Sequence, residues 1–475
     1  MTRINTWLRS AAAVGLLVAP LGACDFIDIA GANPNAINEP DISQLWVGVQ
    51  VNAFFHNEGE MARTPSVWLQ QLAGTDRQFS AIDRYITTES TLEGEFGSVY
   101  AGAGLLQIRE GMALAEEAGC DACAALFGIH EAYLIGMLSS FVGDLPYSEA
   151  VDPAIATPKL DPQEEVYAAI QERLDEAIAG LAVEPTGGAA SFYDQMAAAD
   201  LNFGGDRAAW TGVAYTLKAR FYMHWVEAQR NGVAAADIAC GGDCLANAIA
   251  AAENGIASAD MDWRGIHSTN SAEQNMFYQF LVVDRAGYIS AGAFGVDLLE
   301  GRGDPRLAFY YAEDASGEFV GSAPGENNGN ASGLNTTDGA AAADYDQPIA
   351  TCAETRFILA EAYYLSGNEP AAQDALRDGV ACNEAALGIS GVPFDATLTG
   401  PALLGEIMTQ KYLALFLNPE LYNDYKRTCL PALETYAGLP IPRRFLYAGQ
   451  ERQTNPNIPS PDQQPAFNTN DPVGC

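Results

Sequence analysis

Apolar positions along the chain recur mostly at the three-and-four spacing of helices. Asp161-Pro162-Gln163-Glu164 reads as a capping box with proline at the first helical position. After it, Val166, Ile170, Leu174, Ala177, Ile178 and Leu181 keep one apolar stripe. Trp210, Val213, Leu217, Phe221 and Trp225 mark another, with Arg207, Lys218 and Arg220 off it. The same spacing predicts helices over roughly 40–56, 101–118, 122–140, 244–257, 352–366, 369–382, 402–417 and 420–427. Alternating strand patterns are scarce and short. In Leu359-Ala360-Glu361-Ala362-Tyr363-Tyr364-Leu365, small and aromatic residues recur before a Ser366-Gly367-Asn368 turn. Ala371, Ala372 and Ala375 then allow a second helix to approach closely, as in a tetratricopeptide-type hairpin. Residues 101–140 and 163–225 are candidates for degenerate copies.

Where the period breaks, the segments are long. Residues 57–100 mix aromatic and polar groups, 183–206 are rich in Gly and Pro, and 448–475 in Gln, Asn and Pro. Residues 315–350, built from Gly, Ala, Asn and Asp, are predicted as a mobile surface loop. Irregular segments of this length in a folded protein are usually functional or disordered.

The start of the chain follows a different rule. Arg3 and Arg9 precede a short apolar run, Ala11 to Val18, and small residues end in Leu21-Gly22-Ala23-Cys24. The run is too short to cross a hydrocarbon core, which takes about 20 apolar residues. Residues 1–23 therefore read as a bacterial lipoprotein signal, and Cys24 as the lipid-bearing thiol that anchors the chain to a membrane. No later apolar stretch reads as a membrane span, because each is broken by charge or by Gly and Pro.

Charge removes one class of partner. With 61 acidic and 24 basic residues the formal charge is −37, which would repel phosphate backbones, so no nucleic acid is expected. Export also changes the reading of the cysteines. Eight follow Cys24, an even number in an oxidising space, and disulfides are the default. Cys352 and Cys382 lie equally far either side of Gly367, so an antiparallel hairpin would bring them together. Cys120/Cys123 and Cys240/Cys244 each straddle an expected helix start, with Asp121 and Asp243 as N-caps. Cys429 and Cys475 remain, and pairing them would tie down the tail. The alternative is a four-cysteine zinc site from the two short pairs.

No catalytic constellation emerges. The four histidines, His56, His130, His224 and His267, are scattered without ligand spacing, and no nucleophile elbow, phosphate loop or dinucleotide fingerprint is present. No cofactor or resident metal is implied. Acidic pairs of the kind glycosidases use are too numerous for any one to stand out. What does stand out is aromatic residues off the helix stripes: Trp68, Phe79 and Tyr85 in one irregular region, and Trp263, Phe277, Tyr278, Tyr288 and Phe294 in another. Arg77, Arg285, Asp284 and Asn275 lie among them. Aromatic faces with a few placed polar groups suit the C–H faces and hydroxyls of sugars. The predicted ligand-binding set is Trp68, Arg77, Tyr85, Tyr278, Arg285 and Tyr288; the competing reading is that these rings pack loops onto helices.

Short motifs then appear in a characteristic order. They are Cys24-Asp25-Phe26, Asn33-Pro34-Asn35 and Gly143-Asp144-Leu145-Pro146-Tyr147-Ser148-Glu149-Ala150, then Gly204-Gly205-Asp206 leading to Trp210 and Leu217-Lys218-Ala219-Arg220. Asp304-Pro305-Arg306, Glu361-Ala362-Tyr363, Gln410-Lys411-Tyr412, Glu420-Leu421-Tyr422-Asn423-Asp424, Arg427 and Ile441-Pro442-Arg443-Arg444 follow. In these the chain resembles the SusD/RagB family of outer-membrane nutrient-binding lipoproteins. The resemblance implies a mainly α protein, with a tetratricopeptide-like helical-repeat scaffold and a loop-rich irregular ligand-binding lobe. It implies a surface lipoprotein that captures oligosaccharides, or in some members peptides, for a TonB-dependent outer-membrane barrel of the SusC type. Residues 24–475 would form one such domain, with scaffold mainly at 36–56, 101–182, 206–257 and 352–427, and lobe and loops at 57–100, 258–350 and 428–475. An exported carbohydrate-active enzyme and a helical-repeat scaffold for envelope assembly are the alternatives.

Overall fold

Helices at the expected places carry most of the computed structural model, which describes residues 41–471 and 474. The leader, Cys24, the first motifs and Cys475 lie outside the described residues. Helix Asp121–Val142 runs through the centre, apolar enough in composition to cross a bilayer but with that whole stretch buried inside the protein. It packs against Leu105–Glu117 on one side and Gln163–Ala182 on the other, and Arg207–Arg230 and Cys244–Ala252 continue the series.

The tetratricopeptide-type hairpin forms as expected: Cys352–Leu365, a turn with Gly367 at φ 82°, then Glu369–Leu387. Its helices meet where Gly379 faces Phe357. A Cβ there would lie 2.6 Å from the ring, so only glycine permits the approach. Cys352 and Cys382 are bridged, as are Cys120 with Cys123 and Cys240 with Cys244; each short pair closes on itself rather than on a shared zinc. Cys429 is also disulfide-bonded.

Three local expectations need correction. Asp161 does not cap the next helix. Its carboxylate instead accepts from the Tyr147 and Ser148 amides at 3.0 and 2.7 Å, holding the Asp144–Ser148 turn; Pro162 takes the N-cap position, and the first helical amide, Gln163 N–H, donates to Asp144 at 2.9 Å. Asp121 lies inside its helix, and the Cys120 sulfur takes the capping role, whereas Asp243 caps as expected by accepting from Ala246 N–H. Residues 57–100 are largely helical, at Glu60–Trp68, Arg77–Ile82 and Glu93–Tyr100. Pro65 and Gly59 hide the first of these from a periodicity reading, but Met61, Val67 and Trp68 are buried, and burial outweighs propensity.

The strands are short, and they join distant segments. Leu72–Gly74 pairs antiparallel with Ile289–Ala291, and Trp263–Gly265 with Gln347–Ala350. The segment 315–350 is not a loose loop. Ser322 N–H donates to Ala291 O at 2.9 Å and Ala291 N–H to Ser332 O at 2.8 Å, so it lies along the first sheet with Ser322, Ser332 and Leu334 buried.

Candidate functional site

Register in the first sheet creates the site. Pairing Gly74 with Ile289 brings the residues just beyond each together: Thr75 N–H donates to Tyr288 O at 2.9 Å and the Thr75 hydroxyl to Gly287 O at 3.0 Å. Arg77, 211 positions before Tyr288 in the chain, thus has its guanidinium 5.9 Å from the centre of the Tyr288 ring. Arg285 reaches the same ring at 5.6 Å. Cation–π contacts of this kind hold an exposed arginine in place by about 0.5–1 kcal/mol. The ring leans edge-on against Phe280 at 6.4 Å, and Phe280 on buried Phe79 at 5.3 Å, so an aromatic ladder ties it to the core.

Beside it opens a cleft of about 390 Å³, walled by Leu281, Val282, Ile289 and Leu334 and bordered by Asn327 and Asn328. Residues Gln279–Asp284 form a π-helical turn, a local irregularity frequent at functional sites, and leave Val282 46% and Val283 65% exposed. That turn is anchored to the scaffold through Glu58, which bonds His267 at 2.9 Å and accepts from Met276 N–H at 3.1 Å. Apolar walls with a few amide groups are what a sugar-sized ligand needs.

A second aromatic position lies on the far side of Asn327. Tyr85 meets Tyr436 edge-on at 6.4 Å, and its hydroxyl accepts from Tyr436 N–H. The Tyr436 ring lies on Gly325, where φ is 76° and a Cβ would come within 2.3 Å of the ring; glycine is required twice over. Gly325 and Gly74 both donate to the Asp83 carboxylate, which burial nevertheless pushes above the ordinary range; burial likewise raises the Tyr85 phenol.

Of the predicted ligand set, the structure brings Arg77, Arg285 and Tyr288 together. Tyr85 is half-buried against Tyr436, and Tyr278 is half-buried on the short helix Met276–Tyr278. Trp68 must be withdrawn. It is fully buried, donates to Ile82 O at 3.1 Å and stacks on Phe445 with centroids 4.7 Å apart, so it packs the core and presents no face to a ligand. Trp263, Phe277 and Phe79 are buried too, and Asn275 is an N-cap. Phe280, Tyr436, Asn327 and Asn328 were absent from the sequence-based set; nothing local marks them, because strand pairing and the 315–350 segment bring them in.

The residues that carry the family resemblance lie elsewhere. Arg220 makes two 2.6 Å bonds to Glu354, and Glu420 accepts from His224 at 2.8 Å. Arg427 grips Glu361 and Asp424, Lys411 reaches Asp424 at 2.8 Å, and Arg306 pairs with Asp304. All these side chains are buried. Burial alone would raise Glu420, but His224, Arg220 and Lys411 outweigh it and hold the carboxyl well below its usual range. These motifs bind helices to one another.

Comparisons with known proteins agree with this architecture. A family model described as starch-binding associating with outer membrane matches residues 34–448. Similar solved structures include a SusD/RagB family protein from Bacteroides thetaiotaomicron, 22% identical with TM-score 0.71, covering 88% of this chain and 95% of that one. A chitin-binding SusD homologue from Flavobacterium johnsoniae is 20% identical, with TM-score 0.71 and coverage of 90% and 98%. A SusD homologue from Bacteroides vulgatus is 18% identical, with TM-score 0.71 and coverage of 90% and 97%. No curated protein matches significantly.

Proposed function

From the premise that this chain belongs to the SusD-like family of outer-membrane, carbohydrate-binding proteins, we propose that it captures oligosaccharides in the cleft beside Tyr288 without cleaving them, and passes them to a TonB-dependent barrel. The observation that carries the reading is a cleft lined by Val282, Ile289, Asn327 and Asn328 next to an aromatic ring, Tyr288, that is held by two arginines and flanked in sequence by the lining residues Gly287 and Ile289. The leader at residues 1–23, followed by Cys24, supports a lipid anchor, and the acidic composition suits a solvated exterior.

Binding to a panel of starch-, chitin- and plant-wall-derived oligosaccharides, by calorimetry, tests the capture step. Tyr288→Ala should weaken binding about tenfold, as expected for loss of one aromatic platform, at unchanged melting temperature. Chromatography of the incubated ligands should show no shorter products. Membrane fractionation of Cys24→Ser should move the protein to the soluble fraction, and its persistence in membranes would remove the anchor from the proposal.

A further inference from the structure

Most cations of this acidic chain are used up internally. Among the described residues all four lysines are in ion pairs. So are most arginines, many of them buried, as with Arg220, Arg306 and Arg427. Arg285 is exposed, meets no carboxylate among the described residues within ion-pair distance, and lies against the Tyr288 ring. Arg77 is 67% exposed at its side chain and, besides the Tyr288 ring, meets its neighbour Asp76, loosely at 3.7 Å. Arg84 reaches Asn327, which lines the cleft. With the Asn327 amide turned to satisfy both its atoms, that oxygen accepts from Arg84 at 3.2 Å, while the adjacent Asp83 carboxylate is taken by backbone amides.

Gathering like charges on one ring is unfavourable unless something offsets it. The backbone is bent to achieve it. Arg77 has φ 49°, and of the eight non-glycine residues with positive φ among the described residues, five surround this region: Gln70, Arg77, Tyr85, Asn327 and Ala437. Such conformations cost about 1–3 kcal/mol each and concentrate where function requires a geometry that packing alone would not choose.

We infer that Arg77 and Arg285, gathered on Tyr288 beside the cleft, select oligosaccharides bearing a carboxylate, that is, sugars of the uronate type. The inference rests on the capture reading above. A guanidinium offers paired N–H donors that match the two oxygens of a carboxylate, and the fork keeps most of its donors available when the ring holds its face. The formal charge of −37 repels anions at long range, so the rest of the surface would not retain a polyanion by itself. Recognition of an acidic sugar therefore depends on contact here, where two exposed arginines converge on one ring with a single loose carboxylate contact, Arg77 to Asp76, between them.

The test compares uronate oligosaccharides with neutral oligosaccharides of the same length and linkage, and with a peptide of equal negative charge. Wild type should bind the uronate form at least tenfold tighter than the neutral form, the size expected for one added charge-assisted pair of hydrogen bonds. In R77Q/R285Q that ratio should fall to near one, while the melting temperature stays that of wild type, since both side chains are exposed. Equal affinity for the two sugar forms in wild type would overturn the inference and leave glycan capture standing. A ratio that survives in the double variant would also overturn it. An acidic peptide bound as tightly as the uronate would overturn it as well, since charge and not sugar would be what is read. Failure to bind any oligosaccharide, neutral or acidic, would overturn the capture reading itself and this inference with it.

Discussion

Arg427 and Arg285 carry the same guanidinium, one sealed among Glu361, Asp424 and the scaffold helices, the other lying in water over Tyr288. In the scaffold, charge is placed where solvent cannot reach and each group has a named partner across a helix interface. Beside the lobe's cleft, Arg77 and Arg285 are instead exposed and partnered by an aromatic face. Removing one member of a buried pair leaves its partner uncompensated, whereas an exposed arginine returns to water at almost no cost. The family motifs sit in the first environment and the candidate ligand groups in the second. Motif matching thus recognises the scaffold more readily than the ligand.

The largest expected effect comes from breaking the scaffold pair. Arg427→Ala strands Glu361 and Asp424 in the interior and should cost about 3–5 kcal/mol, read by denaturant unfolding. A loss below about 1 kcal/mol would show that water reaches these carboxylates and that the contrast is overstated. Next is the Cys352–Cys382 bridge, which closes a loop with a sequence separation of 30. Replacing both cysteines by alanine should cost roughly 3–4 kcal/mol in the chain-entropy model, measured the same way against wild type without reductant.

Acid should act on the scaffold at comparable size. Burial holds His56 at about 3 and His130 at about 4, below the ordinary 6.5, so both stay neutral when folded. Unfolded, each takes up a proton near pH 6.5. The stability they contribute is therefore full above that pH and is lost as pH falls toward the folded values, by roughly 3 kcal/mol each near pH 4. The slope of unfolding free energy between pH 6.5 and pH 4 should flatten in a His130→Gln variant, and an unchanged slope would place the acid sensitivity in other groups. The smallest expected change is in the lobe. Arg77→Gln and Arg285→Gln should each move stability by no more than about 0.5 kcal/mol while altering ligand affinity. A drop in melting temperature as large as that of Trp68→Ala, where a buried ring worth about 3–5 kcal/mol is lost, would make them packing residues and erase the distinction between the two regions.

Helix positions, the hairpin about Gly367 and the family could be read along the chain, because each depends on spacing within one segment. The same holds for the half-site around Arg285 and Tyr288, three residues apart. Trp68 was misplaced for a related reason. A tryptophan beside a proline-bearing stretch looks like loop sequence, and only the folded chain brings Phe445 and Tyr422, more than three hundred positions away, onto its ring.

By itself the sequence determined the mainly helical scaffold, the spacing of its stripes, the charge that excludes nucleic acid, and which cysteines could meet across one turn. Those follow from local periodicity and from sums over composition, neither of which needs the path of the chain. The tertiary structure alone decided that Arg77 joins Arg285 on one ring, that Asn327 and Tyr436 belong to the same region, and that the motif arginines serve the interior. Strand pairing between residues 72–74 and 289–291 brings Arg77 to Arg285. Its register depends on which distant faces are buried together, a property of no single segment.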